Sequence, residues 1–280
     1  MAKRKKYKTN VLKWLLVGII LLLIGWFLYA WFVPGHKQLT ASPVSGMAQS
    51  AVSEPDSKTP EDEDYLPEST GELVRHAYYT LSFNCGHKQA NWVYYRLSSE
   101  NVTKESGRTD NFREDPLVVS GSAKPSDYTK SGYDRGHLCP AADMTQSAEA
   151  MSETFYMSNM SPQVPAFNRG IWKRLEEQVR KWGSKEQIYV ITGPVFKDVK
   201  GKIGNSRVTV PGFFYKVIYS PSRRQMIGFI LPNRKEKGRI PDYVVSVDSV
   251  ESLTGIDFFP QLPDSLENRL EAHSDYRYWE

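Results

Sequence analysis

The sequence predicts an α+β domain carried behind a single N-terminal membrane helix, and three observations support this. An almost unbroken apolar run, VLKWLLVGIILLLIGWFLYAWFV, fills residues 11–33. A stretch rich in Pro, Ser, Thr and acid follows it. From residue 71 onward, aromatic and β-branched runs of strand length stand on both sides of isolated helical patterns, with no internal repeat. A chain of 280 residues with 40% hydrophobic and 24% charged side chains has ordinary globular composition, which excludes disorder throughout.

Residues 1–10 carry Lys3, Arg4, Lys5, Lys6 and Lys8 with no acid, so the positive-inside bias keeps this flank cytoplasmic. The run at 11–33, whose only charge is Lys13, is long enough to cross a bilayer. Trp26, Phe27, Trp31 and Phe32 occupy the place where a cleavable signal would put small residues, so the segment reads as an uncleaved signal anchor. Cleavage near Ser45–Ala48 is the alternative. Everything after Val33 is then expected outside the cytoplasm, in the periplasm or the cell exterior. Residues 34–70, with few aromatics and no periodicity, read as a flexible acidic tether to a domain at 71–280.

Charge follows these boundaries. Six of the 36 basic residues lie in positions 1–33, leaving 30 against 32 acids for the remainder. Seven of those acids and two of those bases lie between Pro34 and Ser69, so the domain keeps 28 basic against 25 acidic residues. That mild positive balance permits a nucleic-acid partner without requiring one. Cys85 and Cys139 would face an oxidising compartment, making them candidates for a disulfide, with two separate thiols as the alternative.

Within the domain, 76–83, 92–97, 188–192 and 225–231 read as strands, and 207–210 with 213–219 straddle a Pro-Gly break. Ile171–Trp182 is the clearest helix, with Ile171, Leu175, Val179 and Trp182 on one face and Gly183 as its stop. At about 100° per residue from Asn168, Leu175 and Val179 fall on its face while Glu176 and Arg180 flank it. Taken alone, these are an N-cap and a solvated i,i+4 pair. The stretch YDRGHLCP, 133–140, likewise reads alone as a polar turn in which Asp134 satisfies local N–H groups and Gly136 supplies an unusual φ.

The combination reads differently. Asp134-Arg135-Gly136-His137 is followed by Asn159-x-x-Pro162-Gln163, then Asn168-x-Gly170-x-Trp172, then Glu176 and Arg180. In this order the motifs resemble the DNA/RNA non-specific endonucleases of the ββα-metal superfamily, which include endonuclease G, over roughly 71–259. The resemblance implies a ββα-metal nuclease fold with a central, mostly antiparallel sheet flanked by helices, and hydrolysis of phosphodiesters in DNA and RNA. It assigns His137 as general base, Asn168 as the single direct ligand of Mg²⁺ (Mn²⁺ or another divalent ion being able to substitute), Glu176 as holder of metal-bound waters, and Arg180 as a phosphate contact. Arg108 is favoured over Arg113 as a second phosphate clamp, although Asp110 stands where some members carry arginine. Gly136 and Asp134 are expected to shape and anchor the His137 loop, Arg135 to contact phosphate or form a loop salt bridge, and Asn159 to be a buried turn-former. His36, His76, His87 and His273 lack such a context and read as structural or solvated.

No CxxC, HExxH or Cys/His cluster suggests zinc, and no base-reading motif is visible, which points to contacts with phosphate and sugar alone. Two other readings compete with the endonuclease. One is a catalytically silent nucleic-acid-binding envelope protein; the other is a phosphodiesterase acting on a non-nucleic-acid substrate such as a lipid headgroup. Neither an inhibitor protein nor a homodimer surface is legible in the sequence.

Overall fold

The computed structural model describes residues 65–280. The predicted membrane span at 11–33 lies outside the described residues. No helix among the described residues is long and apolar enough to cross a membrane.

Seven strands form one sheet, antiparallel at every pairing, in the order β1 (Glu72–Arg75), β2 (Thr80–Asn84), β3 (Gln89–Leu97), β6 (Ile188–Val195), β9 (Phe213–Ser220), β10 (Gln225–Pro232) and β11 (Val244–Val245). Two small ribbons stand apart from it: β4 (Asp134–His137) with β5 (Met160–Gln163), and β7 (Gly201–Ile203) with β8 (Val208–Val210). The helices are α1 (Ala148–Glu153), α2 (Lys173–Gly183), α3 (Val247–Thr254) and α4 (Asp264–Glu271).

The central strands are buried on both faces, so alternation sorts their side chains between two cores rather than between core and solvent. Val93, Tyr95 and Leu97 of β3 with Ile188 and Val190 of β6 face one core, where Leu175, Val179 and Trp182 of α2 lie. Trp92, Tyr94, Tyr189 and Ile191 face the other, against Val247 and Val250 of α3 and Leu270 of α4. The sheet is therefore the middle of three layers.

Residues 65–70, which composition assigned to the tether, belong to the folded unit. The Tyr65 ring lies 4.6 Å from that of Tyr189 and 5.2 Å from that of Tyr219. Glu68 accepts from Trp92 Nε1 at 3.0 Å and donates its N–H to the Asp257 carbonyl at 2.9 Å. Aromatic burial recruits the chain end that its acidic neighbours disguised.

Of the two readings of the cysteines, the structure shows the separate thiols. Cys85 is exposed in the turn between β2 and β3, Cys139 is buried just after β4, and both are free thiols.

Candidate active site

YDRGHLCP is not a turn. Asp134–His137 is β4, and it pairs residue for residue with β5: Asp134 opposite Gln163, Gly136 opposite Ser161, His137 opposite Met160. Gly136 is required by space and not by φ. A Cβ at this position would meet Gln163 Cδ at 2.1 Å, and Gly136 is not among the positive-φ glycines.

The ribbon leads through Pro165–Phe167 and an irregular turn at Asn168–Trp172, kinked at Gly170, into α2. Two strands and a helix thus form one continuous unit. Phe167, Trp172 and Phe214 pin the turn to the sheet, with ring centroids 5.3–5.7 Å apart. Because of the kink, Asn168 is neither in phase with α2 nor its N-cap, as the helical projection assumed. The helix begins five residues later, at Lys173.

Asn168 is instead fixed across the ribbon. Its Nδ2 donates to Asp134 Oδ2 at 3.0 Å, while Arg169 Nε and Nη2 donate to Asp134 Oδ2 and Oδ1 at 2.9 and 2.6 Å. Asp134 therefore reaches 34 and 35 residues along the chain, not to the neighbouring N–H groups that a turn would offer. A carboxylate only accepts, so the Asn168 amide must turn its NH₂ toward Asp134, which directs Oδ1 away as a free oxygen donor.

His137 stands at the end of β4 in an aromatic cradle. The Phe155 ring meets it edge-on at 5.0 Å and Phe112 lies at 5.9 Å. Its Nε2 is shielded from solvent and has no hydrogen-bond partner. Burial, aided by the Arg108 charge, lowers its pKa to about 3, so the imidazole is neutral across the physiological range. Behind it, Asn159 is fully buried and its amide is wholly engaged: Oδ1 accepts from Cys139 N at 2.8 Å, and Nδ2 donates to the Cys139 and Thr154 carbonyls at 2.9 and 2.8 Å. Asn159 thus fixes the chain beside His137 and has no atom left for a ligand.

The structure separates the candidate arginines. Arg108 is 54% exposed, lies 5.0 Å from the Phe155 ring that also cradles His137, and pairs with Asp110 at 2.7 Å. Arg113 is tied to the Asn111 and Ser152 carbonyls at 3.2 and 2.9 Å and covers the Tyr156 ring at 3.8 Å. Arg135 donates to the Pro125 carbonyl at 3.0 Å, and its guanidinium lies 4.9 Å from the Phe112 ring. It forms no salt bridge among the described residues. Arg108 is the one of the three left facing solvent beside His137.

Glu176 and Arg180 occupy successive turns of α2 and join two residues that the motif reading passed over. Arg180 Nε donates to Asp143 Oδ1 at 2.7 Å, and Asp143, fully buried, also accepts from Tyr95 Oη at 3.0 Å. Lys216 is fully buried on β9, donates to Thr192 Oγ1 at 2.5 Å and lies 5.1 Å from the Trp172 ring. Burial raises the Glu176 carboxyl to about 7, opposed by Lys216 and reinforced by Asp143. Burial also raises Asp143 and lowers Lys216, each opposed by the opposite charges of the group. Two acids and two bases thus form a quartet of balanced formal charge beneath α2, with Asp143 and Lys216 buried and Glu176 and Arg180 half-buried. A lysine at the centre of the apolar strand FFYKVIYS, on the same face as Phe214 and Ile218, was the available signal for this quartet.

Asn168 Oδ1 and the Glu176 carboxylate offer only oxygen donors, the set a hard divalent ion such as Mg²⁺ accepts. His76, by contrast, is committed to Asp115 at 2.8 Å in the interior.

Known proteins resemble the chain along most of this domain. The family model for DNA/RNA non-specific endonuclease matches residues 62–265. The chain is 37% identical over 215 residues to a nuclease of Nostoc sp., covering 70% of this chain and 76% of that protein. It is 35% identical over 214 residues to a nuclease of Serratia marcescens, covering 71% and 79%. Mitochondrial endonuclease G of Homo sapiens is 34% identical over 202 residues, covering 66% and 68%. Among solved structures, that of the EndoG/EndoGI complex matches with a TM-score of 0.65 and 32% identity, over 71% of this chain and 89% of that one. The ββα unit, the motifs it carries and these similarities lead to one conclusion: the chain belongs to the DNA/RNA non-specific endonuclease family.

Proposed function

We propose that this protein is a membrane-anchored, Mg²⁺-dependent endonuclease, facing the periplasm or cell exterior, that hydrolyses phosphodiester bonds of DNA and RNA without reading sequence or sugar. The observation that carries the reading is the ββα unit itself, which bears an unpartnered imidazole nitrogen on β4, an amide oxygen oriented by Asp134 at the turn and a guanidinium braced by Asp143 on α2.

His137 takes the proton of the attacking water through Nε2, the nitrogen no protein group occupies. A pKa near 3 makes it a weak base by itself. An arriving phosphate offsets the Arg108 charge and moves the basicity toward neutrality. Asn168 Oδ1 would be the direct ligand of the metal and Glu176 would hold its waters, with Asp134 orienting the Asn168 amide. Bound Mg²⁺ would supply charge stabilisation to the phosphorane-like transition state and the departing alkoxide. Arg180 spends Nε on Asp143 and keeps both Nη groups for phosphate oxygens. Arg108 approaches from the solvent side as the second clamp. Contacts of this kind touch phosphate alone, which accounts for indifference to base and sugar. The structural relative is an EndoG/EndoGI complex whose description concerns EndoG inhibition, so a protein inhibitor is a second partner class for this chain.

The test incubates the full-length protein in detergent with circular DNA, RNA and phospholipid vesicles, in Mg²⁺ or in EDTA. Cutting of both nucleic acids only with metal, with intact lipid, is expected. Binding without cutting under every divalent ion tried would leave a silent binder, and headgroup release would make it a lipid phosphodiesterase.

A further inference from the structure

On the sheet face opposite the nuclease site, α3 and α4 lie on either side of a short loop and turn acids toward one another. Asp248 and Glu251 are three residues apart on α3, Glu267 and Glu271 four apart on α4, and Asp257 lies in the loop between. Carboxylate oxygens of Asp248, Glu251 and Glu271 all fall within 4.8 Å of one another, and those of Asp257, Glu267 and Glu271 do the same. Glu271 belongs to both sets.

Glu271 is the independent sign that a ligand is missing from the polar account. It is only 5% exposed, and its Oε1 is buried with no hydrogen-bond partner, as is Oε1 of Glu267. It is also the last residue of α4, where the helix dipole disfavours an anion. Among the described residues, no lysine, arginine or histidine forms an ion pair with any of the five acids; Glu251 accepts the Phe258 N–H at 2.8 Å. A buried carboxylate surrounded by other carboxylates is costly unless a cation offsets it.

We propose that these five acids form a calcium site, separate from the nuclease centre, that clips α3 to α4. Oxygens on opposite sides of Ca²⁺ stand about 4.6–5.2 Å apart at ligand distances of about 2.3–2.6 Å, so carboxylate oxygens that all lie within 4.8 Å of one another are close enough to share one ion. The donors are all oxygen, which excludes a zinc or copper preference. Several carboxylates from two helices and a loop suit the larger, geometrically tolerant ion better than Mg²⁺, which prefers to keep its waters. The ion then completes the second core layer, where Val250 and Leu270 already meet the sheet.

The experiment measures calcium binding by calorimetry and thermal unfolding on full-length protein stripped with EGTA, beside Glu271→Gln, Asp257→Asn and Asn168→Ala. In wild type, calcium 100-fold above its Kd should raise Tm by about 5–10 °C, with a smaller rise in equal Mg²⁺. Glu271→Gln should abolish the rise, and Asn168→Ala should keep it, which sets it apart from any ion in the nuclease centre. Asp257→Asn, at an exposed position that folding does not need, should weaken calcium roughly tenfold or more. No calcium-dependent rise in wild type, an undiminished rise in Glu271→Gln or Asp257→Asn, or its loss in Asn168→Ala overturns the site.

Discussion

The two cores of this domain each contain a cluster of charge, and the clusters are built on opposite plans. Beneath α2, Asp143, Glu176, Arg180 and Lys216 balance in formal charge, and all but Glu176 hydrogen-bond within the fold. Between α3 and α4, five acids meet with no base among the described residues. The first cluster is finished by the chain itself; the second needs something from solution. A nuclease site gains from the first plan, because a guanidinium that must meet a phosphate has to be held in place before the phosphate arrives.

Unbalancing the quartet gives the largest effect. Lys216→Met leaves buried Asp143 and half-buried Glu176 with one base and should cost about 3–5 kcal/mol of stability, read by chemical denaturation. Adding Glu176→Gln restores neutrality, so the double variant should regain part of that stability while remaining inactive. If the two changes are additive in stability, the quartet is not an electrostatic unit.

A pH profile gives the next. The unfolded His137 takes up a proton near 6.5, the folded one near 3, so between these values the unfolded state binds more protons and stability falls as pH falls. Through this residue alone wild type should lose about 2 kcal/mol between pH 7 and pH 5, and His137→Gln should lose that much less over the same interval. Identical profiles would show that His137 is hydrated.

The arginines give the smallest effect and split cleanly. Arg113→Ala should cost about 1–2 kcal/mol of stability through its carbonyl contacts and ring stacking, with kcat/KM nearly intact. Arg108→Ala should lower kcat/KM by about 10–100-fold, the value of one or two charged hydrogen bonds, with Tm unchanged. The reverse split would exchange their roles.

Much of this was legible in the sequence, because aromatic and β-branched runs such as IYVIT and QMIGFIL have few other ways to be buried. The antiparallel sheet follows from them, and the motif residues name the candidates for the site. What was hidden lies where local reading and tertiary contact disagree. DRGH offers three polar residues and a glycine, a turn by any local criterion, and becomes a strand only because β5 lies against it, with Gly136 opposite Ser161, 25 residues away. The face assigned to Asn168 failed at Gly170, where the chain kinks between Asn168 and the helix. Asp143 carries no motif signal, and its burial follows from Tyr95 and Arg180, 48 and 37 residues away. The acids of α3 and α4 do show in the sequence, as like charges at i,i+3 and i,i+4 that a solvated helix would avoid.

The most direct measurement of the central claim is kcat/KM on circular DNA in Mg²⁺ for His137→Ala beside wild type, with Tm recorded for both. If His137 is the base of the ββα site, the variant stays folded and loses about 10²–10⁴-fold. A folded variant that cuts at the wild-type rate would contradict the account.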